Sequence, residues 1–150
     1  MADAYELALR ALGQKERSEA ELTEWLRARG VDQKEAAESI SRLAEAGALD
    51  DARFARRYAE DKRELRGWGP DRIADALRAR GVGDDAIAEA IEAEGDEAVI
   101  VRAAGVLAGA GAPVDDEPSR NRALGLLARR GYPLEAAYEA VRRHERDAAG

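Results

Sequence analysis

Apolar residues in this chain recur three and four positions apart, and nowhere do they alternate long enough to build a strand. Leu22, Trp25 and Leu26 have the i, i+3, i+4 spacing of one helix face, and Ile73, Ala76 and Leu77 repeat it. Tyr5, Leu9 and Leu12 mark an earlier helix. Phe54, Tyr58 and Leu65 mark another, and Val99, Ala103, Val106 and Leu107 a third. Further helices carry Ile40, Ile91 and Val141 on their apolar faces. The pattern predicts an all-α protein.

The helices come in sets. "SEAELTEWLRARGVDQKEAAESI" from Ser18, "GPDRIADALRARGVGDDAIAEAI" from Gly69 and "SRNRALGLLARRGYPLEAAYEAV" from Ser119 are alike. "LRARGV" stands at Leu26 and again at Leu77, and "LARRGY" at Leu127, offsets of 51 and 50 residues. A period near 50 is that of a repeat array. Ser18 and Glu21 form a capping box, Pro70 suits a first helical turn, and Ser119 is placed to cap the third copy. Gly30, Gly81 and Gly131 end the helices, with arginines in the last turn facing the dipole. Asp50 or Asp51 caps the helix that carries Phe54. The chain therefore reads as three tandem three-helix repeats, at 1–49, 50–95 and 96–150, with a loop at 109–119 inside the third. A unit of this size buries little apolar surface alone, so the units should stack into an elongated, curved array.

Composition narrows the function. Charged residues make up 37% and aromatics 5%, so the cores rest on Ala, Leu, Ile and Val. A net charge of −7 argues against a uniformly basic nucleic-acid binder. The charge is nevertheless segregated. Residues 52–83 hold nine Lys and Arg against five Asp and Glu, 84–117 a single Arg against ten acids, and 118–150 seven Arg against four acids. The absence of cysteine rules out disulfides and thiolate chemistry and fits a reducing cytosol. No apolar run approaches the roughly 18 residues of a membrane span, and "MADAYELALRAL" lacks the basic-then-apolar order of a signal peptide. A cytoplasmic protein without membrane contact is expected.

Catalysis has little to work with. His144, the one histidine, sits in an arginine-rich tail with no second ligand nearby and reads as a solvated surface residue. Asp50 and Asp51 are adjacent, so on a helix they diverge and make neither an acid–base pair nor a metal clamp. Gly67-Trp68-Gly69 has no strand before it and lacks the third glycine of a nucleotide loop, and reads as a turn. No catalytic, metal-binding or cofactor-binding residue is assigned, and no cofactor is expected. The candidate contacts are cationic. Arg53, Arg56, Arg57, Lys62, Arg63 and Arg66 crowd one helix beside Trp68, mostly off the Phe54–Tyr58–Leu65 line that should face the core. They either contact phosphates or an acidic protein surface, or form a solvated face with pairs such as Arg56–Glu60. Arg78, Arg80, Arg129 and Arg130 lie at helix C-termini, where the dipole alone favours arginine, and Arg142 and Arg143 extend the basic tail.

"RSEAELTEWLRARGV" at Arg17–Val31, "LDDARFARRY" at Leu49–Tyr58, "GWGPDRIADALRARGV" at Gly67–Val82 and "LARRGY" at Leu127–Tyr132 follow one another over nearly the whole chain. In that order they resemble the motifs of the RecX family, regulators of the recombinase RecA in bacterial DNA repair, recombination and the SOS response. The resemblance implies a non-enzymatic, monomeric inhibitor that lies in the groove of the RecA filament on single-stranded DNA and contacts more than one RecA protomer. It implies limits on filament growth, ATPase, strand exchange and stimulated repressor cleavage. Its partners would be the RecA filament and the single-stranded DNA within it. The chain departs from the family at "EAVIVRAAGVLAGAGAPVDDE", Ala/Gly-rich with one arginine where a more basic segment is usual. The competing reading is a stand-alone helical DNA-binding protein acting through its arginine-rich faces, with Tyr58 and Trp68 to stack on bases.

Overall fold

The computed structural model describes residues 3–150, and among them it has nine α-helices and no strand. They are α1 (Ala4–Gln14), α2 (Glu19–Ala28), α3 (Gln33–Glu45), α4 (Asp51–Arg66), α5 (Pro70–Ala79), α6 (Asp84–Glu92), α7 (Asp96–Ala110), α8 (Glu117–Arg129) and α9 (Leu134–Ala149).

Local chemistry sets most of the boundaries. Ser18 Oγ accepts from the Glu21 amide at 3.1 Å, and Glu21 Oε1 accepts from the Ser18 amide at 3.0 Å, the two halves of a capping box. Asp50 caps α4 through the Arg53 amide at 3.1 Å. Asp51 points away from that cap and accepts the Glu19 amide at 2.9 Å, so adjacent carboxylates serve the N-termini of two different helices. The third copy departs from expectation. Asp116, not Ser119, caps α8, and its oxygen accepts from the Ser119 amide at 2.8 Å. Ser119 is buried one turn inside the helix, because Asp116 followed by Glu117 and Pro118 starts it earlier. The expected 109–119 loop shrinks from both ends, since α7 also continues until Gly111, at φ 61°, closes it.

Three separate cores follow the repeat. Leu22, Leu26, Ala36 and Leu43 centre the first, Phe54, Ile73, Leu77 and Ile87 the second, and Val99, Leu107, Leu127, Ala137 and Val141 the third. All the substantial helix pairings fall within α1–α3, α4–α6 or α7–α9. The accessible surface of 8851 Å² exceeds the roughly 7,500 Å² of a compact monomer of this mass. The excess fits units strung in a row.

Some expected core positions lie elsewhere. Leu65 is 75% exposed. It is in angular register with Phe54, but α4 outruns its partner α6, whose end is reached by Arg63 donating to the Ala90 carbonyl at 2.9 Å. Trp25 is only half-buried, with the Arg29 guanidinium 3.5 Å above its ring. His144 is also half-buried rather than solvated, and its Nε2 lies 2.8 Å from the Ala112 carbonyl, tying α9 to the loop before α8.

The units meet at helix ends. The N-terminus of α2 faces the C-terminus of α5: Ser18 Oγ donates to the Arg80 carbonyl at 2.6 Å, and Arg80 donates twice to the Glu21 carboxylate at 2.8 and 2.9 Å. The N-terminus of α5 meets the C-terminus of α8 likewise, with the Gly69 amide donating to Arg130 O at 2.8 Å and the Asp71 amide to Gly131 O at 2.9 Å. Donors at the N-terminus of one helix, a serine hydroxyl at the first joint and two backbone amides at the second, thus satisfy C-terminal carbonyls of the next, with dipoles aligned. Glycine makes this possible. A Cβ on Gly81 would lie 2.5 Å from Ala20 Cβ, and one on Gly131 would lie 2.2 Å from Arg72 Cβ. Both glycines also sit at positive φ, 80° and 91°, where they end their helices.

Candidate functional site

Helix α4 buries Phe54, Ala55 and Ala59 and turns its cations elsewhere. Gly67, at φ 64°, ends it, and Gly67–Trp68–Gly69 bends the chain into α5. The third unit holds this turn in place. Tyr132 Oη donates to the Gly67 carbonyl at 2.7 Å, and Arg102 Nε donates to the Trp68 carbonyl at 3.1 Å. Burial pushes the Tyr132 phenol above its ordinary range, outweighing the opposing pull of Arg102, so Tyr132 remains a donor at neutral pH.

The predicted cations divide sharply by partner. Arg56 pairs with Glu89 at 2.8 Å, across to α6, rather than with Glu60 one turn away. Arg57 lies 3.5 Å from Glu16, and Arg53 donates to the Gly47 carbonyl at 3.1 Å. Arg63 turns inward. Its side chain is 13% exposed and sits 3.3 Å from Glu94, which also binds Arg102. Glu94 and Arg102 are 12% and 16% exposed, so this is a largely desolvated Arg–Glu–Arg bridge between the second and third units. Burial works against the Arg102 charge, but its hydrogen bond with Glu94 prevails and raises its pKa. The lone arginine of the Ala/Gly-rich α7 is thereby used within the fold.

The helix-end and tail arginines are largely paired too. Arg80 is bound to Glu21, and Arg78 lies 3.1 Å from Asp75. Arg142 pairs with Glu139 at 2.6 Å, and Arg143 bridges Glu139 at 3.2 Å and Glu97 at 2.5 Å, which fastens α9 to α7.

What remains gathers around Trp68. Lys62 Nζ is 4.9 Å from the indole centroid and the Arg72 guanidinium 4.2 Å. Arg72 donates to the Arg129 carbonyl at 3.3 Å, and Arg130 to the Arg66 carbonyl at 3.0 Å. Among the described residues, none of Lys62, Arg66, Arg72, Arg129 and Arg130 has a carboxylate within 4.0 Å. The arrangement joins the end of α4, the start of α5 and the end of α8 into one cationic rim around a half-buried indole. Such a rim suits phosphates with an adjacent flat ring, or a carboxylate-rich protein surface. Arg72 escapes a reading that counts arginines along α4, because it belongs to α5. Its signal was the repeat itself: Arg72 occupies the register of Glu21, which faces the next unit.

The site geometry lies on a fold that has known counterparts. The crystal structure of RecX from Lactobacillus salivarius superposes with a TM-score of 0.88 at 19% identity, covering 95% of this chain and 94% of that one. A crystal structure described as regulatory protein RecX reaches 0.80 at 19% identity, over 93% of this chain and 70% of that one. These establish likeness of fold. In sequence, the family model for the first three-helix domain of RecX matches residues 4–43, and that for the second matches residues 50–91. The regulatory protein RecX of Amycolatopsis mediterranei is 29% identical across 96% of this chain and 84% of its own length. That of Mycobacterium sp. (strain JLS) is 32% identical across 92% of this chain and 79% of its own length. With both domain models matched in order and a relative of this identity aligned over most of both chains, the chain belongs to the RecX family of regulatory proteins.

Proposed function

We propose that this protein is a non-enzymatic inhibitor of RecA that binds the RecA filament on single-stranded DNA. It limits filament growth, ATPase, strand exchange and stimulated repressor cleavage, and it works in the cytoplasm, where that filament forms. The family membership carries this reading, and the cationic rim around Trp68 supplies the contact surface: Lys62, Arg66, Arg72, Arg129 and Arg130 meet DNA phosphates or acidic RecA side chains along the groove. The rows of units give the molecule length to touch more than one protomer. Among the described residues no helix is long and apolar enough to cross a membrane.

The test is the DNA-dependent ATPase of RecA with this protein titrated in. Inhibition well below the RecA concentration is expected. The triple reversal Lys62→Glu, Arg66→Glu, Arg72→Glu should weaken it at least about tenfold; Arg66 and Arg72 are exposed and Lys62 half-buried, so circular dichroism checks that helix content is kept. Raised salt should mimic part of the loss. Full inhibition by the triple variant would remove the rim from the contact. The same rim supports a second reading, direct binding of free single-stranded DNA through phosphates and Trp68 stacking. Salt-sensitive binding to bare DNA, without effect on RecA, would select it.

A further inference from the structure

The repeat places the same helix ending at three sites, and two of them are occupied. Arg80–Gly81–Val82 receives the N-terminus of α2, and Arg130–Gly131–Tyr132 receives that of α5. Arg29–Gly30–Val31, at the end of α2, stands in the same register. Gly30 has the same left-handed backbone, φ 82° beside 80° and 91°. Yet among the described residues nothing lies within 4 Å of where its Cβ would stand, against 2.5 and 2.2 Å at Gly81 and Gly131. Val82 and Tyr132 are buried, whereas Val31 is half-buried and Arg29 and Gly30 are exposed. Arg29 corresponds to Arg80, which grips the carboxylate at the third helical position of its neighbour. Among the described residues Arg29 has no such carboxylate, and its guanidinium lies over Trp25.

We infer that the Arg29–Gly30–Val31 end of α2 is a docking site for the N-terminus of a helix from another protein, one with a small residue at its second position and a carboxylate at its third. The chemistry is that of the internal joint. The partner's cap hydroxyl or first amides donate to the Arg29 and Gly30 carbonyls, its small second residue seats against Gly30, and its carboxylate takes Arg29 off the indole.

A second copy of this chain does not fit. A head-to-tail surface of this kind propagates into filaments if both ends are free. The complementary end would be α8, but α8 starts a turn early and carries Pro118 at its second position. Proline has no amide proton to match the Asp71 donor, and the additional turn stands where the next unit would pack. One end of the array is closed and the other is open to a partner.

The test titrates the full chain with a helix-stapled peptide copying residues 15–28, the segment that fills the Arg80 end internally. Amide shifts of the isotope-labelled chain in nuclear magnetic resonance report binding. Saturable shifts centred on Arg29, Gly30 and Val31 are expected, even if binding is as weak as about 1 mM. Replacing the peptide's Glu21 by Gln, or Arg29→Glu in the chain, should each weaken binding about tenfold, the worth of one charge-assisted pair. Absence of shifts at these residues, shifts at Arg80–Val82 instead, or equal binding by the Gln peptide would overturn the inference. So would concentration-dependent self-association of the chain that Arg29→Glu abolishes.

Discussion

Replacing Gly131 and Gly30 by alanine separates two duties that glycine performs in this array. Both residues hold nearly the same left-handed φ, 91° and 82°. Placing alanine there costs about 1–2 kcal/mol, offset by about 0.4–1 kcal/mol from a stiffer unfolded chain. Gly30→Ala should therefore cost roughly 1 kcal/mol and nothing more, since its Cβ meets open space. Gly131→Ala bears the same strain and adds a Cβ 2.2 Å from Arg72 Cβ and 2.4 Å from Arg72 N. Relief to an ordinary carbon contact needs a retreat of roughly 1.5 Å. That carries the bonds from Gly69 N to Arg130 O and from Asp71 N to Gly131 O, now 2.8 and 2.9 Å, out of range. Gly69 is buried and its lost bond is the more costly; Asp71 is exposed and water replaces part of its own. The joint-specific cost is then about 2–4 kcal/mol. With three separate cores, a single global denaturation curve does not isolate the free energy of one joint. Amide exchange reads the joint directly: in Gly131→Ala, protection of the Gly69 amide should fall about thirtyfold or more, and in Gly30→Ala it should not change. If the two variants protect Gly69 alike, the joint does not rest on the glycine contact and the reasoning fails.

Phe54→Ala, which empties a fully packed ring site in the second core, should cost about 3–5 kcal/mol in urea unfolding followed through Trp68, and a loss under about 1 kcal/mol would contradict its burial. Glu94→Ala leaves Arg63 and Arg102 facing each other with little water and should cost about 3–5 kcal/mol, with Trp68 emission shifting because Arg102 holds its carbonyl; an unchanged spectrum counts against the bridge as the strut between units. The Glu21–Arg80 joint is pH-dependent. Burial raises the Glu21 pKa, but the hydrogen bonds from Arg80 and the Ser18 amide prevail and depress it below its ordinary 4.5. A depressed carboxylate stabilises the fold above its unfolded pKa and loses that contribution as pH falls through the folded one. The stability gap between wild type and Glu21→Gln should thus be widest near neutrality and narrow below about pH 4.5; a gap constant down to about pH 3 would show that the charge is immaterial.

Local information made the helices legible and long-range information hid the site. Apolar spacing, the Ser18–Glu21 box and the recurrent glycines are decided within a few residues, so the nine helices of the described residues and their grouping by threes could be read from the chain. Leu65 failed because angular register says which face a residue takes, not how far the partner helix extends. Ser119 failed because a better cap, Asp116, lay three residues upstream. The charges failed for another reason. Arg56 found Glu89 instead of its helical neighbour, Arg63 found Glu94, and Arg80 found Glu21. Each partner lies dozens of residues away: Glu89 and Glu94 come within reach only when the second unit folds, and Glu21 only when the first and second units stack. Charge density along α4 therefore could not rank its own arginines. Ranking came from subtraction. Among the described residues, several cations are left without a carboxylate within 4.0 Å; some, such as Arg29, Arg42 and Arg53, lie elsewhere, but Lys62, Arg66, Arg72, Arg129 and Arg130 share the joint between the second and third units. Cations crowded without counterions repel one another and weaken the joint they sit on. An external anion would relieve that repulsion, which is the physical reason for proposing this rim as the surface that meets a phosphate or a carboxylate.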